Sequence, residues 1–265
     1  PGHALPGLPG AVLGIYPFQL EFKGHIILVG HDRAFNSSRD VSVAEARFIV
    51  KLKNISFAYP YGEEVFSGLD FQFPANARAG LVGPTGSGKT TLVQIIMGLL
   101  NPTSGQVEIF GSICRKEPDF REVRAKLGFL FQDADDQLFC PTVAEDVAFG
   151  PLNLGIPRHE VQDIVKETLD MLGLSGFENR VTYKLSGGEK RLVSLATVLA
   201  MKPEMLLLDE PTTGLDQKTT DRLAQLLLQS DLPYLIISHD RDFLNRTTTS
   251  AYRMNKGSIE AGIKL

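Results

Sequence analysis

Short unbroken apolar runs punctuate the second half of the chain. Met205-Leu206-Leu207-Leu208 and Leu235-Ile236-Ile237 leave no polar position to turn toward water. Such runs predict parallel strands covered on both faces. Ala79-Gly80-Leu81-Val82, Gln106–Gly111 and Leu127–Phe131 predict further strands. Residues 160–172 behave differently, with Val161, Ile164, Val165, Leu169 and Leu172 on one stripe and Gly173 as a stop, which predicts an amphipathic helix. Helices are also predicted over Leu92–Leu100, over Gly188–Met201 and through Leu223–Leu228. Phe48–Tyr59 and Val65–Phe73 are β-rich and flank the turn residues Pro60-Tyr61-Gly62. Strand–helix alternation predicts an α/β core. The early β-rich stretch predicts an added antiparallel sheet, and the segment from about 120 to 185 a helical insertion. There is no internal repeat and no heptad run.

Residues 1–47 are unlike the rest. Pro1 to Pro17 holds four prolines and four glycines, which disfavours regular structure. A short strand is expected at His25–Val29. The missing initiator Met suggests processing, truncation or added residues, and a start near residue 48 is left open. Three of the five histidines, His3, His25 and His31, lie here without tight ligand spacing, so scattered loop histidines are the reading.

Composition narrows the function classes. The 265 residues allow one large α/β domain, or one domain and an appendage, and 43% hydrophobic residues can build a sizeable core. A net charge of −4 argues against nucleic acid as the main partner. Cys114 and Cys140 have no metal-like spacing and read as reduced thiols. No apolar run approaches the roughly 18 residues of a membrane span. With no export signal in view, the expected location is the cytosol or the cytosolic face of a membrane.

The sharpest chemical signal is Gly83-Pro84-Thr85-Gly86-Ser87-Gly88-Lys89-Thr90-Thr91, placed between a predicted strand and a predicted helix. That context is what the phosphate-binding P-loop pattern requires. The glycines let backbone N–H groups face a phosphate chain, and the helix aims its positive end at the same anion. Lys89 can reach the β- and γ-phosphates of a nucleoside triphosphate, and the Thr90 hydroxyl can ligate Mg²⁺. The expected ligands are therefore a nucleoside triphosphate and Mg²⁺.

Four more elements follow. Asp209 and Glu210 end an apolar strand, where one carboxylate can hold the Mg²⁺ shell and the next can polarise an attacking water. Leu185-Ser186-Gly187-Gly188-Glu189-Lys190-Arg191 opens a helix upstream, another arrangement suited to anions. His239 follows a strand, where an imidazole can bond a γ-phosphate. Gln132 follows Leu127–Phe131. In this order and spacing, residues 48–265 resemble the ATP-binding cassette (ABC) ATPases. The resemblance implies a P-loop NTPase core with an antiparallel β subdomain and a helical signature subdomain. It makes Ser186, Gly187, Gly188 and Glu189 the signature, Gln132 the Q-loop glutamine serving metal and catalysis, and His239 the switch histidine. Gly214-Leu215-Asp216 becomes the D-loop, with Asp216 near nucleotide, and Tyr59 the aromatic stacked on adenine. A core-packed strand aromatic is the other reading of Tyr59. The resemblance also implies a head-to-tail dimer in which ATP on Lys89 of one subunit is capped by Ser186 and Gly188 of the other, with Glu210 as base.

The stretch Gln132 to Asn153 is similar to ATPase subunits of energy-coupling factor (ECF) transporters, importers of vitamins and transition metals. This implies a peripheral protein on the cytoplasmic face of the cell membrane. Its small transmembrane coupling subunit would dock near Gln132 to Phe139, with Leu138 and Phe139 against a helix and Asp135 and Asp136 as charged contacts; the other reading is that Leu138 and Phe139 anchor the helical subdomain. The resemblance implies a longer C-terminal segment in ATPases of the shared vitamin-transport type than the 26 residues beyond His239, which favours a dedicated importer most like the cobalt or nickel type, with a vitamin such as biotin as the alternative. Soluble mechanical ABC ATPases need a long coiled coil between Thr91 and Leu185, which this chain lacks. Translation-associated types carry a second cassette, and none is present. The intact Lys89, Asp209, Glu210 and His239 set argues against a silent binder.

Overall fold

A computed structural model describes residues 19–22, 25–28 and 48–263. The expectations for the remainder of 1–47 lie outside the described residues. Within that segment β1 (Gln19–Phe22) pairs antiparallel with β2 (His25–Leu28), which covers most of the strand expected at His25–Val29.

The remaining strands form two sheets. β3 (Phe48–Ala58), β4 (Glu64–Pro74), β6 (Ser104–Ile109) and β7 (Ser112–Cys114) make an antiparallel sheet in the order β4-β3-β6-β7. β5 (Arg78–Val82), β8 (Leu127–Leu130), β9 (Met205–Asp209), β10 (Tyr234–Ile237), β11 (Ser250–Asn255) and β12 (Ser258–Ala261) make the second, ordered β12-β11-β5-β10-β9-β8. Its pairings are parallel except the β11–β12 hairpin at the edge.

The central strands are apolar throughout because each faces two cores. Met205 and Leu207 pack with Leu235 and Ile237 in the layer shared with the antiparallel sheet. Leu206 and Leu208 pack with Tyr234 and Ile236 in the opposite layer, against helices. Each fully buried side chain of this size contributes about 1.5–3 kcal/mol, so the run resists polar interruption on either face.

Helix α1 (Lys89–Ile96) starts and stops earlier than its apolar run suggests, because Lys89 and the two threonines already form its first turn. α2 (Glu117–Arg124) precedes β8. The helical insertion therefore begins only after β8, a correction to the boundary at about 120. It holds α3 (Val143–Asn153) and α4 (Arg158–Met171) and leads into α5 (Gly187–Leu199). Thr142 with Glu145 caps α3, and Ser186 with Glu189 caps α5, both through reciprocal side-chain to backbone bonds. α6 (Gln217–Gln229) and α7 (Arg241–Thr247) start on Asp216 and Asp240, which accept from the N–H of Thr219 and Phe243. Among the described residues no helix is long and apolar enough to cross a membrane.

Parallel pairing has one decisive consequence. β5, β8, β9 and β10 all point the same way, so their C-terminal ends lie along one edge of the sheet. The loops leaving that edge carry Gly83–Gly88, Phe131-Gln132, Asp209-Glu210 and Ser238-His239. This is where open α/β sheets place ligands.

Candidate active site

Those loops enclose a cleft of about 670 Å³ lined by Tyr59, Thr85, Gly86, Gly88, Lys89, Thr90, Thr91, Gln132, Asp209, Glu210 and His239, among others. Site residues expected from five separate segments of the sequence thus share one space.

The glycine loop is fixed by close packing. A Cβ on Gly83 would lie 2.2 Å from the Met254 carbonyl oxygen, and one on Gly88, at φ 103°, would lie 2.8 Å from the Phe66 ring. Only glycine fits either position. Within the loop, Lys89 Nζ donates to the carbonyls of Gly83 at 2.8 Å and Pro84 at 2.9 Å. Burial lowers the Lys89 pKa, while Asp209 and Glu210 raise it in opposition. Among the described residues the buried Ser87 hydroxyl has no hydrogen-bond partner. A buried cation on carbonyls and an orphaned hydroxyl are features that an anionic ligand would satisfy.

Beside them, Thr90 Oγ1 donates to Asp209 Oδ2 at 3.0 Å. Asp209 is only 2% exposed, and burial raises its pKa, with the Thr90 bond opposing and Glu210 adding. A buried carboxylate and a hydroxyl are hard oxygen donors, and a small divalent cation would relieve the cost of that buried charge. Among the described residues no three His, Cys, Asp or Glu side chains form a metal-holding group. The donor set therefore fits Mg²⁺ held partly by phosphate oxygens and water, with Gln132 lining the same cleft.

Glu210 occupies a strained position, φ 50°, uncommon for a residue with a long side chain. Its N–H bonds Ile237 O at 2.8 Å, locking the turn to β10. Oε2 accepts from Ser238 Oγ at 3.2 Å and from the His239 N–H at 3.4 Å. The carboxylate is thereby aimed into the cleft. Tyr59 borders it too. Its ring meets Phe57 edge-on at 5.0 Å, its hydroxyl lies 3.0 Å from Thr91 Oγ1, and 42% of the residue is exposed.

The fold and this cleft match a known family. Its sequence profile, described as ABC transporter, matches residues 66–213. The chain belongs to the ABC transporter family. An energy-coupling factor transporter ATP-binding protein, EcfA, from Methanothermobacter thermautotrophicus is 42% identical over 80% of this chain and 70% of its own length. The cbiO1 structure from Clostridium perfringens, part of the ABC transporter complex cbiONQ, has 30% identity and a TM-score of 0.72 over 82% of this chain and 88% of its own. The ATP-binding cassette MJ0796, solved as a dimer in a post-hydrolysis state with ADP and Pi, has 27% identity and a TM-score of 0.73 over 82% of this chain and all of its own. The protein is accordingly an ABC ATP-binding domain, of a family that couples ATP hydrolysis to transport.

Not every expected site residue of this ABC domain reaches the cleft. Ser186, Gly187, Gly188, Glu189 and Asp216 do not line it. Ser186 and Asp216 cap α5 and α6, and Gly187 lines an adjoining cavity that shares Thr90, Gln132 and Asp209 with the cleft. Leu138, expected at a docking surface with Phe139, is instead buried in the core of the helical subdomain. Phe139 stays exposed, edge-on to Phe149 at 4.8 Å. Leu138 follows the one-turn 3₁₀ segment Ala134–Asp136 and its cap Gln137, and its N–H bonds back to Ala134 O at 3.0 Å, which ties it to that turn.

Three residues to which sequence reasoning assigned no role organise the site from behind. Arg191, 3% exposed, donates from Nη1 to the carbonyls of Phe131 and Gln132, and from Nη2 to those of Asp209 and Glu210. One guanidinium therefore ties α5 to the Gln132 loop and to the acidic strand end. Burial lowers its pKa to about 10. Gln137 accepts from the Phe131 N–H at 3.2 Å and donates to Ser194 O and Thr197 Oγ1, each at 2.8 Å. Asp146, 2% exposed, accepts from the N–H groups of Phe139 and Cys140 and from the Thr182 hydroxyl. It joins the Phe139 loop to the turn that precedes the signature.

Proposed function

We propose that this chain is the Mg²⁺-dependent ATPase of an ECF-type importer of cobalt or nickel, working as a head-to-tail pair on the cytoplasmic face of the membrane. One observation carries the two-copy site. The phosphate cleft holds Lys89, Asp209 and Glu210, while the Ser186–Glu189 turn does not line it and has open space in front of Gly187. Two copies facing each other supply one another's missing half. The relatives named EcfA and cbiO1 support the ECF assignment, and the MJ0796 dimer supports the pairing. The cargo reading rests on resemblance to the cobalt/nickel type. Phe139, exposed on the loop beyond Gln132, is the contact for the membrane subunit.

In this reading Lys89 exchanges its carbonyl partners for phosphate oxygens, and Tyr59 supports the adenine. Thr90, Asp209 and Gln132 hold the Mg²⁺, which supplies charge neutralisation on the phosphates. Glu210 takes a proton from water as the water oxygen bonds the γ-phosphorus. The bond from that phosphorus to the bridging oxygen breaks, leaving ADP and phosphate. His239 bonds the γ-phosphate, and the N-terminus of α5 from the second copy stabilises the charge developing there.

Mixing two inactive variants tests the shared site. Lys89→Ala removes one half. Gly187→Asp removes the other without a clash, since a Cβ there meets nothing within 4 Å. In a mixed dimer one site regains both intact halves, so phosphate release returns on mixing. No recovery refutes the head-to-tail arrangement. Vesicles carrying the ATPase with its membrane partners should accumulate Co²⁺ or Ni²⁺ when ATP is supplied. Accumulation of biotin instead refutes the cargo.

A further inference from the structure

The signature turn carries a charge that a triphosphate would oppose. Glu189 sits in the first turn of α5, three positions after Ser186. Its Oε2 accepts from the Ser186 N–H at 2.8 Å and hydroxyl at 2.9 Å, and its Oε1 from Arg180 Nη1 at 2.7 Å. The Ser186 bonds first, and then Arg180, hold its pKa below the usual carboxylate range, so it is ionised at neutral pH. A carboxylate in the first turn suits an empty helix end. It disfavours the arrival of a second, polyanionic group at the same end.

Arg180 is placed to offset that charge. Its N–H bonds Phe177 O at 2.8 Å, and its own carbonyl accepts from the Val143 N–H at 3.1 Å, where α3 begins. Its guanidinium carbon lies 3.7 Å from the centre of the Phe177 ring, which presents the donors edgewise to Glu189. Nearby cations are engaged elsewhere: Lys190 with Asp135, and Arg191 inward on four carbonyls. A half-exposed pair such as Arg180–Glu189 adds little to folding stability, so stability alone gives no reason for so fixed a cation.

We propose that Arg180 is a charge-compensating positioning residue, pairing with Glu189 so that the N-terminus of α5 can accept the triphosphate bound on a second copy of this chain. This rests on the two-copy site proposed above. Removing Arg180 leaves Glu189 uncompensated and weakens ATP-driven pairing. Removing the charge of Glu189 makes Arg180 dispensable.

The test uses the full chain carrying Glu210→Gln, so that ATP persists. Sedimentation gives the Mg-ATP concentration that half-converts monomer to dimer. Binding of a fluorescent ATP analogue at high dilution gives the affinity of the single subunit. Arg180→Ala should raise the half-dimerisation concentration about tenfold, equivalent to about 1.4 kcal/mol, and leave single-subunit affinity unchanged. Arg180→Lys should stay near the parent. Arg180→Ala with Glu189→Gln should return to the value of Glu189→Gln alone. An Arg180→Ala protein equal to the parent, or a defect that Glu189→Gln does not relieve, overturns the proposal. A parent that never dimerises with ATP removes the shared site itself, and this inference falls with it.

Discussion

His239 Nε2 lies 3.5 Å from Glu210 Oε1. The two residues leave adjacent parallel strands, β10 and β9, and Ile237 pairs with Asp209 just before them. Sheet register thus sets the spacing of the acid–imidazole pair, and the unusual φ of Glu210 turns its carboxylate toward that neighbour and the cleft. The imidazole is 65% exposed while the carboxylate is 14% exposed. The carboxylate is held, and the imidazole is free to meet a ligand.

Glu210→Gln keeps the shape and the Ser238 acceptor but cannot take a proton. Phosphate release should fall by about 10²–10⁴, the range for loss of a general base. ATP binding, measured with a fluorescent analogue, should persist. Turnover within tenfold of the parent would mean that another group accepts the proton.

Lys89→Ala separates affinity from stability. The Nζ is buried on two carbonyls, and burial lowers its pKa against the attraction of Asp209 and Glu210. Charged hydrogen bonds to phosphate contribute about 1.5–3 kcal/mol each, so nucleotide affinity should drop at least about tenfold in calorimetry. The melting temperature without nucleotide should change little, because a costly buried charge leaves with the side chain. Unchanged affinity would refute its role.

Local signals and tertiary ones divide what the sequence reveals here. Runs such as Met205–Leu208 announce strands because both faces of a central parallel strand are covered. The Gly83–Thr91 pattern announces its own turn because only glycine fits against Met254 at Gly83 and against Phe66 at Gly88. Arg191, Gln137 and Asp146 act on the backbone of distant segments, and no short spacing encodes such bonds. One trace was present. Arg191 and Ser194 share the apolar face of Leu195 and Val198 at helical spacing, and Asp146 lies between the buried Val143 and Val147. A charge on a buried face implies a specific partner, though not which one. The β11–β12 hairpin was also missed, although Lys256-Gly257 marks its turn and buried positions alternate in part along Ser250–Asn255. The burial of Leu138 is not legible because it follows a one-turn 3₁₀ segment, and no periodicity exists over three residues.

Arg191→Ala should be among the most destabilising substitutions in the chain. It strands four carbonyls, and breaking a buried charged network typically costs about 3–5 kcal/mol. For a domain of this size that lowers the melting temperature by roughly 6–20 °C. Arg191→Lys keeps the charge but cannot fork between two pairs of carbonyls, so it should recover only part of the loss. A full recovery by lysine would show that charge, not the fork, joins the Gln132 loop to Asp209 and Glu210.

Asp146 makes a pH-dependent case. Burial raises its pKa, opposed by the bonds from Cys140, Phe139 and Thr182. The folded chain therefore holds this proton more tightly than the unfolded chain. The sign follows from linkage: the group's contribution is greatest below the unfolded carboxylate pKa and falls as pH rises through the folded value. Asp146→Asn keeps an oxygen for the two N–H groups, and its amide can donate to the Thr182 hydroxyl. It should match the parent's melting temperature at low pH and exceed it at neutral pH. Asp146→Ala leaves two N–H groups unpaired and should lose about 1–3 kcal/mol across the range. Thermal melts of the three proteins between pH 4 and 8 read both effects. If Asp146→Asn is instead the less stable protein at neutral pH, the ionised carboxylate stabilises the Phe139 loop, and the hydrogen bonds outweigh the cost of burial.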